Sequence, residues 1–165
     1  LGTGSGAIGI SLALEGKCSK VVATDVKNDA LAVARINAKQ NGVEHLMEFR
    51  SGSLFEVVKS DEKFQIIVSN PPYIPDDETM LLQPEVLEWE PTEALFGGKA
   101  GMEIMRKIII GAPKNLTLGG LLALECGLGQ AEQVVSEIEA TKTFSSVMVH
   151  RDLNGRERVV TAEQT

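Results

Sequence analysis

The chain has 165 residues, a length that suits one domain around one core. A hydrophobic fraction of 43% is ordinary for a soluble globular protein, and no apolar run reaches the length of a membrane span. The net charge of −7, with Lys and Arg scattered along the chain, argues against a nucleic-acid partner, whose phosphates need a clustered basic surface.

Taken in chain order, the first signal is the glycine-rich run LGTGSGAIGI (1–10). Gly4-Ser5-Gly6-Ala7-Ile8-Gly9 fits the G-x-G-x-x-G fingerprint of dinucleotide sites. Gly2-Thr3-Gly4-Ser5-Gly6 equally fits the G-x-G-x-G turn of methyltransferases that use S-adenosylmethionine. Either turn needs a strand before it, and only Leu1 precedes it, so the first strand of the sheet is expected to be truncated. A helix is predicted from about 7 to 16. KVVATD (20–25) reads as a β-branched strand, and NDALAVARINAKQNG (28–42) as a helix capped by Asn28 and stopped at Asn41-Gly42. HLMEFR (45–50), FQIIVSN (64–70) and GLLALECG (120–127) read as further strands. Helices are predicted over 102–112, ended or kinked by Pro113, and over 129–142. FSSVMVHRDL and RERVVTA, joined across Asn154-Gly155, read as a closing hairpin.

Continuous apolar strands alternating with helices predict an α/β fold with a parallel sheet covered on both faces. The hairpin then reverses one late strand. A mostly parallel sheet with an antiparallel C-terminal hairpin is the Rossmann-like arrangement of class I S-adenosylmethionine-dependent methyltransferases. Residues 1–165 are expected to form that one catalytic domain. Residues 74–101 break the pattern, with Pro75, Pro84 and Pro91 and little periodicity, and are expected to be an active-site lid. Acidic residues from Asp76 to Glu93 and the single Trp89 fall in this stretch.

Chemistry concentrates at two places. The glycine turn lets backbone approach a ligand closely, and the following helix points its N-terminus at the same spot. Asp25, 19 residues past Gly6, is placed to accept hydrogen bonds from ribose hydroxyls. These features alone leave the two cofactors undecided. The second place is SNPPYIP (69–75), directly after an apolar strand. Consecutive prolines fix an extended path and remove two N–H donors, leaving rigid carbonyls, the Asn70 side chain and the ring of Tyr73. Such a set accepts hydrogen bonds from an NH₂ group lying flat against the ring. With the Asn70 oxygen and the Pro71 carbonyl each holding one N–H, the poorly nucleophilic amide nitrogen is oriented for attack, and positioning of this kind is worth up to about 7–11 kcal/mol.

NPPYIP, followed by EPTEALFGGKAG (90–101), LLALECG and RDLNGRERVV, resembles the glutamine-N5 methyltransferases of peptide-chain release factors, the HemK family. The resemblance spans nearly the whole chain. It implies a cytoplasmic enzyme that uses S-adenosyl-L-methionine and takes the glutamine of a Gly-Gly-Gln release-factor loop as substrate. It further implies that Asn70, Pro71, Pro72 and Tyr73 form the catalytic motif. Cofactor contacts fall by position on Gly2, Thr3, Gly4, Gly6, Asp25, Val26, Ser53, Leu54 and Asn70. The family usually has an acidic residue where Ser53 stands, so one charged acceptor is lost. Its N-terminal helical domain, which helps hold the release factor, is not in this sequence.

Other readings remain open at this point. Asn-Pro-Pro-Tyr is shared with adenine-N6 nucleic-acid methyltransferases, which would also need base extrusion and a basic surface. A glutamine methyltransferase for a ribosomal protein and an inactive cofactor-binding fragment are further alternatives. A nicotinamide dehydrogenase lacks a hydride-transfer partner here. Glu125, ending an apolar strand, is expected to be paired. His45 and His150 read as surface or edge residues, Met102 and Met105 as core, and no metal site is expected. Cys18 and Cys126, 108 residues apart, read as unpaired thiols of a reducing compartment.

Overall fold

The computed structural model describes residues 1–16, 18–74 and 101–165. They form two compact units, Leu1–Asp61 and Glu62–Thr165.

In the first unit, α1 (Ala7–Glu15) follows the glycine turn and leads into β1 (Val21–Asp25), α2 (Asn28–Gln40) and β2 (Met47–Ser51). β1 and β2 pair in parallel, with Asp25 opposite Ser51, so both strands end at the same edge. Leu31, Ala34 and Ala38 recur on one face of α2 and are buried, as an amphipathic helix requires. Ile10, Ala13, Ala38 and Val43 make the core of the unit, with Val21, Leu46, Met47 and Phe49 packed against it. Asn28 is the first helical residue and does not cap α2. The boundary residue is Lys27, in extended conformation, and no side chain caps the helix.

The second unit contains β3 (Phe64–Ser69), α3 (Glu103–Gly111), β4 (Leu116–Glu125), α4 (Ala131–Ala140), β5 (Phe144–Arg151) and β6 (Glu157–Gln164). Their sheet order is β3-β4-β6-β5. β3 and β4 are parallel, whereas β6 runs antiparallel to both β4 and β5. A single late strand is therefore reversed, as the hairpin pattern predicts. The turn itself is longer than an Asn-Gly dipeptide. Residues 152–156 lie between the strands, and the Asp152 carboxylate accepts the N–H groups of Asn154 (2.8 Å) and Arg156 (2.9 Å). Those two bonds hold the Asp152 carboxyl below the usual range.

β4 starts four residues earlier than its apolar run suggests. Its register against β3 slips between Phe64 and Ile66, and Gly119 and Gly120 sit inside that irregularity. α3 stops at Gly111, and Pro113 lies in the single 3₁₀ turn that follows. Met105, Ile108 and Ile109 of α3, Val134 and Ile138 of α4, and Leu122, Leu124 and Val160 of the sheet are fully buried. Each such side chain contributes about 1.5–3 kcal/mol by leaving water, which fixes the strand ends that carry the site. Met102 joins this core, as expected. His45 and His150 are exposed, and His150 Nε2 shares a hydrogen bond with Thr161 Oγ1 at 2.8 Å.

Candidate functional site

The glycine turn of the first unit is held by backbone and side chain together. Thr3 N–H donates to the Thr24 carbonyl (2.8 Å), and Gly6 N–H donates to the Thr3 carbonyl (2.8 Å). Gly4 N–H donates to Asp25 Oδ2 at 2.9 Å, while Lys27 N–H donates to Asp25 Oδ1 at 2.9 Å. Each carboxylate oxygen thus keeps an acceptor site for a further donor.

The glycines of the turn divide by surroundings. All of Gly2, Gly4 and Gly6 have positive φ. A Cβ on Gly2 or Gly4 would meet nothing within 4 Å, so their backbone faces open space. A Cβ on Gly6 would come within 3.1 Å of the Ala34 Cβ, because buried Gly6 lets the turn pack on α2. Gly6 is therefore a packing glycine, and Gly2 and Gly4 are the ones a ligand can approach.

Val26 follows Asp25 and is 58% exposed. The Asp25 carbonyl accepts the N–H of Gly52 (2.9 Å), which brings the loop after β2 to the end of β1. Ser53 and Leu54 follow in that loop, both half-buried, and Leu54 has φ +45°. A left-handed leucine is strained, so this turn is imposed by its surroundings. Gly2, Gly4, Asp25, Val26, Ser53 and Leu54 thus gather at one edge of the first unit, at the carboxyl ends of its parallel strands.

In the second unit, Ser69 ends β3 opposite Leu124 of β4. Asn70 comes next and is exposed, Pro71 is buried, and Pro72 and Tyr73 are half-buried. Among the described residues nothing hydrogen-bonds the Asn70 carboxamide, which leaves its oxygen available. Glu125 ends β4 beside this motif. The expected pairing partner is not found for it among the described residues, and half-exposure to water serves instead.

Sequence reasoning missed Gln130. Its Nε2 donates to the Tyr73 carbonyl at 2.9 Å, and its Oε1 accepts the Gly127 N–H at 2.9 Å. The signal was present in ECGLGQ, where a polar residue follows two glycines just past a strand end. The segment expected to be a lid, with Trp89 and the acidic residues from Asp76 to Glu93, lies outside the described residues except for its ends, Ile74 and Gly101.

The chain is similar to known methyltransferases. The family model described as methyltransferase small domain matches residues 1–87. The chain is 42% identical over 160 residues to a release factor glutamine methyltransferase of Geobacter sulfurreducens, covering 97% of this chain and 55% of that protein. It is 43% identical over 162 residues to the protein of that name from Cereibacter sphaeroides, covering 98% and 57%. The chain therefore spans a little over half the length of these curated relatives. Among solved structures, a methyltransferase from Pyrococcus furiosus superposes with a TM-score of 0.66 at 24% identity, covering 98% of this chain and 71% of that one. The fold is that of a class I methyltransferase.

Proposed function

As the chain belongs to the methyltransferase small domain family, we propose that it methylates the side-chain amide nitrogen of a protein glutamine. The donor is S-adenosylmethionine, and the substrate is the Gly-Gly-Gln loop of a peptide-chain release factor. Relatives about 40% identical over nearly all of this chain carry that activity in their names.

The residues of the first unit fit such a donor. Open space over Gly2 and Gly4 leaves room for its amino-acid portion. The spare acceptor sites of Asp25 suit ribose hydroxyls. Exposed Val26 and half-buried Leu54 offer apolar surface for the adenine, and Ser53 offers a hydroxyl in place of a carboxylate. When bound, S-adenosylmethionine supplies an electrophilic methyl group on a sulfonium centre.

The chain's own work falls to residues 70–73. The Asn70 side-chain oxygen and the Pro71 carbonyl each accept one N–H of the substrate carboxamide. Held by both hydrogens, the NH₂ group has its nitrogen lone pair directed out of the amide plane. Tyr73 supplies a flat surface that excludes water from the other face. As the bond to methyl forms and the methyl leaves its sulfur, the nitrogen becomes acidic and its proton passes to solvent. These neutral acceptors therefore need only orient the amide, and no strong base is required. Pro71 and Pro72 fix the backbone torsions beforehand, so little order has to be imposed on binding. We assign the activity to the cytoplasm, where release factors act, and invoke no membrane or nucleic-acid partner.

Asn70 carries this reading: it is an exposed carboxamide, unbonded among the described residues, on a proline-stiffened loop at a strand end. The test is transfer of labelled methyl from S-adenosylmethionine to a release factor or a Gly-Gly-Gln peptide. Asn70→Ala should lower kcat by roughly 10²–10³-fold, as loss of one preorganised group does elsewhere, with donor affinity retained. Transfer unimpaired by that change, or label appearing in duplex DNA and not in a glutamine, overturns the proposal.

A further inference from the structure

Gln130 occupies the N-cap position of α4, where Ser, Thr, Asp or Asn would stabilise the helix. It makes no capping bond. Its carboxamide is committed elsewhere, donating through Nε2 to the Tyr73 carbonyl and accepting through Oε1 from Gly127 N–H, both at 2.9 Å. A carbonyl on one side and an N–H on the other call for a side chain that donates and accepts at once, and a carboxamide does so from two separate atoms. The Gln130 amide meets that requirement at this reach. Glu presents two acceptors, and Asn is one methylene shorter.

Space for this bridge is made by two glycines from different parts of the chain. A Cβ on Gly101, whose φ of +66° favours glycine, would overlap the Tyr73 carbonyl oxygen and stand 2.9 Å from Gln130 Nε2. A Cβ on Gly127 would stand 2.7 Å from Gln130 Oε1 and 2.9 Å from Tyr73 Cδ2. A helix that forgoes its cap and two glycines that clear room converge on one tyrosine. Local rules are broken together where a site is served.

We infer that Gln130 is a positioning residue for the 70–73 motif. Resting on the function proposed above, it anchors the far end of a loop whose near end is held by β3. Ser69 is fixed by pairing with β4, Pro71 and Pro72 have fixed torsions, and Gln130 locks the carbonyl of Tyr73. The ring of Tyr73 and the oxygens of Asn70 and Pro71 then keep one mutual arrangement before substrate arrives. Gln130 does not touch the substrate amide. It acts through Tyr73.

The experiment uses two readouts on the folded protein. Tyr73 is the only tyrosine of the chain, so carbonyl-labelled tyrosine gives a single ¹³C carbonyl resonance. Gln130→Glu keeps the size of the side chain and removes the donor. It should move that resonance upfield and lower kcat for the Gly-Gly-Gln peptide on the order of 10²-fold, the effect of a displacement of about 1 Å. Affinity for S-adenosylmethionine should stay unchanged, and KM should change less than kcat. Gly127→Ala attacks the same bridge from the other side and should give the same pair of changes. An unmoved resonance in Gln130→Glu overturns the bridge, whether or not the enzyme turns over. A moved resonance with wild-type kcat overturns the positioning role. If the unaltered protein methylates no glutamine substrate, the proposed function fails and the positioning role with it, while the resonance still decides the bridge.

Discussion

Gly4 N–H and Asp25 Oδ2 lie 2.9 Å apart, so the glycine turn is fastened to the end of β1 by a side chain as well as by the Thr3–Thr24 backbone bond. The same carboxylate holds Lys27 N–H at the start of α2. Asp25→Asn leaves one oxygen for two N–H groups. We expect it to destabilise the first unit by about 1–3 kcal/mol, the cost of an unmet partner of a charged acceptor. Affinity for S-adenosylmethionine should fall with it. Thermal unfolding and titration calorimetry measure the two effects, and an Asp25→Asn variant that binds the donor like the original would contradict the assignment.

The glycines of the turn should separate by experiment. Gly6→Ala meets both a left-handed backbone and the Ala34 methyl at 3.1 Å, and should lose about 1–3 kcal/mol of stability. Gly4→Ala meets open space and carries the backbone cost alone. Its larger effect should appear in donor binding. Melting temperatures for both variants, set beside their donor affinities, check the ordering.

Acid stability should depend on Glu48. Its carboxyl is pulled from 4.5 to about 2, first by the hydrogen bond from Arg50 (2.8 Å) and then by Lys20 (2.5 Å). A depressed carboxyl stabilises the fold above its unfolded pKa, and the contribution disappears as pH falls from about 4.5 to about 2. The melting temperature of Glu48→Gln should therefore lie below that of the unaltered protein at pH 7 and converge on it near pH 2. The gap should also shrink in high salt, because Glu48 is partly exposed to solvent. A gap that is constant with pH would show that the pair contributes nothing.

The two cysteines should react at different rates. Cys126 is buried, and burial pushes its thiol pKa up. Cys18 is half-exposed. A thiol reagent near pH 8 should label Cys18 first, leaving Cys126 unmodified until the chain unfolds. Mass spectrometry of partially labelled protein reads this directly, and equal labelling would show that the β4 end opens in the folded state.

Order and type of the elements were legible because hydrophobic period separates strands from helices, and the reversed strand followed from a turn signal between two β-branched runs. Where the reading slipped, a hydrogen-bond or strand partner that hydrophobic period does not reveal decided the outcome. Asn28 looks like a cap, but Asp25 takes the N–H of Lys27 and the helix starts without one. Asn154-Gly155 marks the right turn, but the Asp152 carboxylate takes the N–H groups of Asn154 and Arg156, and the turn is wider. Gly119-Gly120 reads as the edge of a strand and lies within a bulge of it. The candidate motifs around Asp25 and around Asn70, one in each unit, can be read because each is a contiguous run of residues. Gln130 was not, since its partner Tyr73 is 57 residues away.

The position of β6 has a consequence for synthesis. It is made after β5 yet lies between β4 and β5, so on the ribosome the flank of β4 stays bare until residues up to 164 have emerged. During that interval a hydrophobic strand ending beside Asn70's loop offers an unmatched row of peptide groups. Chaperone capture, or delay in translating the hairpin, would bear on this sheet more than on the first unit, whose two strands match each other early in the chain.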